Sequence, residues 1–149
     1  MNAVIRIVAA VAVNEAGRVL LVRKRGTTAF MQPGGKPEAG ETPIAALARE
    51  LLEEVGCGIE HPTSCLGIFR APAANEPDTI VEADLYRVNL IGVPRPLEEI
   101  DELRWIDPKQ PGAITLAPLT RDHVLPAVAS WKLAGAQSGQ SSPIASTSA

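Results

Sequence analysis

The sequence predicts an α/β protein, an α/β/α sandwich built on a mixed β-sheet. Three observations lead there. Apolar runs of strand length alternate with turn signals between residues 4 and 107. Two segments, 43–55 and one within 121–134, carry helical signals instead. A chain of 149 residues with 46% hydrophobic content suits one core rather than several. Mean hydropathy near zero agrees with a folded globule.

The first apolar run covers 4–13 and ends at Asn14-Glu15-Ala16-Gly17, a turn composition, after which a second run follows at 18–24. The pair reads as a β-hairpin. Arg6 interrupts the first run, which together with that turn argues against a targeting segment. No stretch reaches transmembrane length, so the expectation is a cytoplasmic protein away from membranes. Cys57 and Cys65 form neither a C-x-x-C pair nor a metal-spaced set, and they read as reduced thiols. A formal net charge of −3 offers no field to a long nucleic acid, which leaves small anionic ligands held locally.

Residues 32–41, Gln-Pro-Gly-Gly-Lys-Pro-Glu-Ala-Gly-Glu, make a Gly/Pro-rich loop that leads into a helix. Thr42 is its N-cap and Pro43 its first residue, where a missing N–H costs nothing; Gly56 is the left-handed stop. Ile44, Leu47, Ala48, Leu51 and Val55 form an apolar stripe, expected opposite a charged face. That face carries Glu50, Glu53 and Glu54 at i, i+3 and i+4, with Arg49 spaced to pair with Glu53. Like charges so placed repel by roughly 0.2–0.5 kcal/mol per pair, and a divalent cation would relieve them. Any amphipathic helix presents a charged face, so the spacing alone does not define a site; the tight loop and the two caps around it point further. Lys36 follows two glycines, but the G-x4-G-K-[ST] arrangement of a P-loop is absent.

Strands follow at 65–70 and 79–90, separated by a Pro- and Asn-bearing loop at 71–78. The second is the clearest, since Val81, Ala83 and Leu85 alternate with Glu82, Asp84 and Tyr86. Another strand is expected at 102–107 around Trp105. The second helix falls within 121–134 and ends at Gly135, with Pro126 disturbing its start. From Gly135 to Ala149 the chain is rich in Ser, Gly and Ala, which predicts a disordered tail and places the folded domain at 1–134.

Gly35, Glu41, Arg49, Glu50, Leu51, Glu53, Glu54 and Gly56 fall at the spacing G-x5-E-x7-R-E-U-x-E-E-x-G-U, where U is a bulky aliphatic residue. This segment resembles the signature of the Nudix hydrolases, the MutT-like pyrophosphohydrolases. Every fixed position matches, and the one departure is Cys57 at the last aliphatic place. The resemblance implies a Nudix-type sandwich over residues 3–134. It implies a hydrolase that uses Mg²⁺, or Mn²⁺ in its place, to cleave the diphosphate of a nucleoside-diphosphate-linked or nucleoside triphosphate substrate. Glu50, Glu53 and Glu54 are the expected ligands, since Mg²⁺ prefers oxygen and bridges carboxylates to phosphates. By the same resemblance the Gly34 carbonyl adds a ligand, Glu50 takes or orients the attacking water, and Arg49 steadies a glutamate. Gly35 would shape the loop and Glu41 would fix it to the helix. A further ligand or base is expected from Glu99 or Glu102, in the acidic run before Trp105. Arg23 and Arg25, ending the second strand, are candidate phosphate contacts, and Phe30 a candidate for stacking on a base. A Nudix fold used only as a binding or regulatory module is the alternative, and self-association into a homodimer is left open.

Overall fold

The structure is a computed structural model and describes residues 2–131. The expected tail, and the part of the expected second helix beyond Trp131, lie outside the described residues.

Among the described residues, nine strands form three sheets. β1 (Ala3–Ala12) lies at the heart of the largest. Its neighbours are β7 (Thr79–Val88), parallel to it from Ala3↔Thr79 to Ala12↔Val88, and β4 (Gly34–Gly35), antiparallel through Ala9↔Gly34. β6 (Ser64–Pro72) closes that sheet against β7, with a bulge between Cys65 and Gly67. β2 (Val19–Lys24) pairs with β3 (Phe30–Met31) and β9 (Ile100–Ile106) in an antiparallel second sheet. β5 (Gly58–Ile59) and β8 (Leu90–Ile91) make a two-stranded third. The strand expected at 79–90 is thus broken at Asn89, and its end pairs elsewhere.

The expected hairpin is corrected by this topology. Its turn forms: Asn14 Oδ1 accepts from the N–H groups of Ala16 and Arg18, and Val13 bridges Val19. Beyond the turn the two strands part into different sheets. β1 has both edges taken, by β4 and β7, so β2 finds its partners elsewhere.

Period-two alternation explains the layers, because both faces of β1 and β2 are apolar. Val8, Ala10, Leu20 and Val22 enter one core cluster, with Leu47, Leu51 and Val55 of helix α1 (Pro43–Val55). Ala9, Val11, Val19 and Leu21 enter the other, with Val124, Leu125 and Val128 of the C-terminal helical segment. Mixed strands between two helical layers give the α/β/α sandwich. The C-terminal segment is shorter than expected: a π-helical turn, Thr120–Val124, runs into α2 (Leu125–Ser130), and Trp131 is already extended. Pro126 cannot donate to the carbonyl a turn before it, and the turn ahead of it is widened, with Leu125 N–H reaching back to Thr120. Among the described residues no helix is long and apolar enough to cross a membrane.

Candidate active site

The loop and α1 build the site from local rules. Thr42 has extended backbone and its Oγ1 accepts from Ala45 N–H at 3.2 Å; Pro43 opens the helix. Gly56, at φ 71°, ends it with its N–H on Leu51 O. The loop is tied back onto the helix by Arg49, whose Nε and Nη2 donate to the two carboxylate oxygens of Glu41 at 2.8 and 2.9 Å. Glu41 in turn accepts from Glu38 N–H at 2.7 Å. This fork holds the Glu41 carboxyl well below the usual range, at about 2. Arg49 also donates from Nη1 to Glu50 at 3.1 Å and sits 3.6 Å from Glu53.

The three helix carboxylates are not equally wet. At about 100° per residue, Glu50 lies between Glu54 on one side and Glu53 on the other, so the trio spans an arc from stripe to solvent. The Glu53 side chain is 53% exposed and that of Glu50 15%. Glu54 is buried at 3%, beside Leu51 and Val55 rather than opposite them, which corrects the expected division of faces. The Glu54 carboxylate accepts one hydrogen bond, from Gly34 N–H at 3.2 Å. Burial pushes its pKa up to about 7 against the pull of Gly34 and Lys24, with Glu50 and Glu99 adding to the rise. Burial also raises Glu50, opposed chiefly by Arg49.

The two loop glycines each make room for something different. Gly34 sits at φ 154°, and a Cβ there would collide with the Val8 carbonyl of β1. A Cβ on Gly35 would meet the Glu50 carboxylate. Close approach of β4 to β1 and to α1 requires both to be glycine.

A cleft of about 520 Å³ opens over this corner. Its acidic lining is Glu38, Glu50, Glu54, Glu76 and Glu99; its cations are Lys24, Lys36 and Arg49. Lys24 was not anticipated from sequence. Alternation along β2 puts it on the same face as Val22, toward α1, 3.9 Å from Glu99. The flanking arginines are placed elsewhere. Arg23 donates to Glu102, Asp101 and the Thr27 carbonyl, and Arg25 to the Glu98 carbonyl. Neither lines the cleft, and nor does Glu102, which Arg104 and Arg23 hold in its ionised form. Of the two acidic candidates beyond the helix, only Glu99 lines it. Phe30 is buried in the α2-side core with the Arg104 guanidinium 5.0 Å from its ring centre, so it does not offer a stacking face to the cleft.

Among the described residues, no three His, Cys, Asp or Glu side chains converge as a ready metal cage. Glu50 and Glu53 lean on Arg49, and Glu54 on Gly34. The donor set nevertheless fits a hard divalent cation. It offers carboxylate oxygens, one of them buried with a single hydrogen bond and a raised affinity for protons, as expected of a carboxylate lacking a positive partner.

A model of the NUDIX domain matches residues 4–128. An RNA pyrophosphohydrolase of Halorhodospira halophila is 51% identical over 114 residues, covering 63% of this chain and 61% of that protein. An 8-oxo-dGTP diphosphatase of Haemophilus influenzae is 36% identical over 81 residues, covering 44% and 60%. The chain therefore spans about three-fifths of the length of these relatives. The crystal structure of the MutT protein from Methanosarcina mazei Go1 superposes with a TM-score of 0.67 at 23% identity, covering 86% of this chain and 94% of that one. At that identity the likeness speaks for the fold.

Proposed function

We propose, for a chain that belongs to the Nudix family, that the cleft beside α1 is the active site of a divalent-cation-dependent hydrolase. Its reaction would be addition of water across the diphosphate of a nucleoside-diphosphate-linked or nucleoside triphosphate substrate. The observation that carries this reading is the buried Glu54 at the floor of a cleft it shares with Glu50, Lys24 and Gly34. A carboxylate held there without a salt-bridge partner destabilises the fold until a proton or a cation compensates it, and groups so perturbed cluster at functional sites.

In this reading Glu50, Glu53 and Glu54 hold the cation, with the Gly34 carbonyl as a further oxygen. Bound, Mg²⁺ would neutralise charge on the phosphates and acidify water. The chain's own residues do the rest. Glu50, which Arg49 restrains at 3.1 Å, would accept the proton of the attacking water. The new P–O bond forms as the bridging P–O–P bond breaks, and both products leave as phosphates. Lys24 lines the cleft, acts on both Glu50 and Glu54 and is not locked in a fork, and in this reading it is the phosphate contact in place of Arg23 and Arg25. Arg49 is a positioning residue, spent on Glu41 and Glu50.

The relatives' names speak of a pyrophosphohydrolase of RNA and a diphosphatase of 8-oxo-dGTP, and both name hydrolysis of the phosphoanhydride chemistry proposed here. The test is a panel of nucleoside triphosphates, nucleotide sugars and dinucleoside polyphosphates scored by phosphate products, with Mg²⁺ and with excess chelator. Turnover of at least one, abolished by chelator, is expected. Binding of a nucleotide without turnover of any would favour the silent binding module, and turnover undiminished in chelator would remove the metal.

A further inference from the structure

Gln32 and Thr120 form a polar pair inside the protein, both at least nine-tenths buried. Thr120 Oγ1 donates to Gln32 Oε1 at 2.8 Å. Gln32 Nε2 is the one buried side-chain nitrogen or oxygen, among the described residues, with no hydrogen-bond partner. Buried amides are nearly always paired, so this exception calls for an explanation. With its oxygen committed to Thr120, the amide turns both N–H groups the other way.

The position of Gln32 supplies the reason. It lines the same cleft as Glu50 and Glu54. It also precedes by two residues Gly34, whose N–H holds Glu54, and two residues of chain span at most about 7 Å. The apolar side chains of the cleft are mainly aliphatic, Ile5, Ile7, Val22, Met31 and Val81, with no aromatic side chain among the lining residues. Such a wall packs any planar base without choosing among them. A lone donor in it chooses by hydrogen bonding.

We propose that Gln32 is a specificity-determining residue that donates from Nε2 to the exocyclic oxygen of an oxo base. This rests on the nucleotide-hydrolase reading above. Guanine and uracil present a carbonyl oxygen where adenine and cytosine present an amino group, and an amino group facing Nε2 would leave two donors opposed. Nε2 is closed off from solvent in this packing. Met31, unbranched and half-buried among the lining residues, is the most adaptable side chain of the cleft wall.

The experiment compares kcat/KM for GTP, UTP, ATP and CTP, and for GDP- against ADP-linked sugars, each relative to tripolyphosphate. It uses wild type, Gln32→Met, which keeps length without the donor, and Gln32→Glu, which keeps the acceptor for Thr120 but removes the amide donors. Melting curves check folding. Wild type should favour oxo over amino bases by about tenfold or more, the value of one hydrogen bond against an orphaned donor. That ratio should fall toward one in Gln32→Met and toward one or below in Gln32→Glu. No oxo preference in wild type, or a preference untouched in either folded variant, overturns the proposal while leaving the hydrolase intact. Wild type that turns over tripolyphosphate but no nucleotide, or turns over nothing, overturns the nucleotide-hydrolase reading and this inference with it.

Discussion

Replacing Glu54 by Gln in protein stripped of divalent cations should stabilise the fold at pH 8 and leave it unchanged near pH 4. The unfolded chain releases this proton near 4.5, whereas burial among Leu51, Val55 and the β4 backbone keeps it on the folded protein to about 7. Between those values the folded state binds more protons than the unfolded one. Stability from this group is therefore fully present below pH 4.5, falls as pH rises, and is gone above 7. At about 1.36 kcal/mol per pKa unit the full loss is roughly 3 kcal/mol. Gln keeps the shape and an oxygen for Gly34 N–H but carries no charge, so its profile should be shallower through the window, keeping only the slope of other groups such as Glu50. The variant then exceeds wild type at pH 8 by up to ~3 kcal/mol, on the order of 10 °C in Tm for a domain of this size.

The assay is urea unfolding in chelator from pH 4 to 8.5, repeated with Mg²⁺ and with NaCl at matched ionic strength. Mg²⁺ binding the folded state alone should restore wild type by about 2.7 kcal/mol at a hundredfold excess over Kd. It should restore the variant far less, and NaCl should not substitute. A wild-type profile flat between pH 4.5 and 7 in chelator would refute the reasoning, as would a variant less stable than wild type at pH 8. Either would mean that Glu54 already has its compensation and needs no cation.

Four further substitutions test the same corner. Gly35→Ala would push the Glu50 carboxylate off its Arg49 clamp, so turnover should drop at least about tenfold with a loss of about 1 kcal/mol; Gly34→Ala, strained at φ 154° against the β1 backbone, should lose more, about 2–4 kcal/mol in unfolding titrations. Lys24→Met should raise KM by about tenfold with a smaller change in kcat, and a kcat effect alone would contradict its role as a phosphate contact. Glu53→Gln, on the exposed side of the arc, should cost at least about 10–100-fold in turnover or metal affinity with Tm in chelator almost unmoved; an unaltered rate would make Glu53 a solvated surface residue.

What could be read in advance was what local chemistry dictates. Thr42, Pro43 and Gly56 announce α1 to the residue, because caps act on backbone groups only three or four positions away. The long strands announce themselves by alternation. β3, β4, β5 and β8 have two residues each, too few for any period to show, and they exist only because another strand's edge is waiting. The same dependence on distant partners undid the hairpin: nothing between residues 4 and 24 says that β7, over fifty residues further on, will claim the edge of β1.

Sequence pointed to the end of β2 for a phosphate contact and named Arg23 and Arg25, whereas it is Lys24 between them that lines the cleft. On a strand, neighbours face opposite ways, so only one parity can see the carboxylates of α1. Val22 is the sequence's own marker for that parity, being the core residue on the α1 side, and Lys24 shares it. The helix holds the matching lesson. Spacing of i, i+3 and i+4 says that three carboxylates share a side, but it does not say where the edge of the apolar stripe falls across them. Leu51 and Val55 set that edge, and Glu54 lies inside it. A signature that reads as three equivalent charges is therefore, in three dimensions, one buried carboxylate, one clamped by Arg49 and one open to water. Their different surroundings make the three separable by experiment.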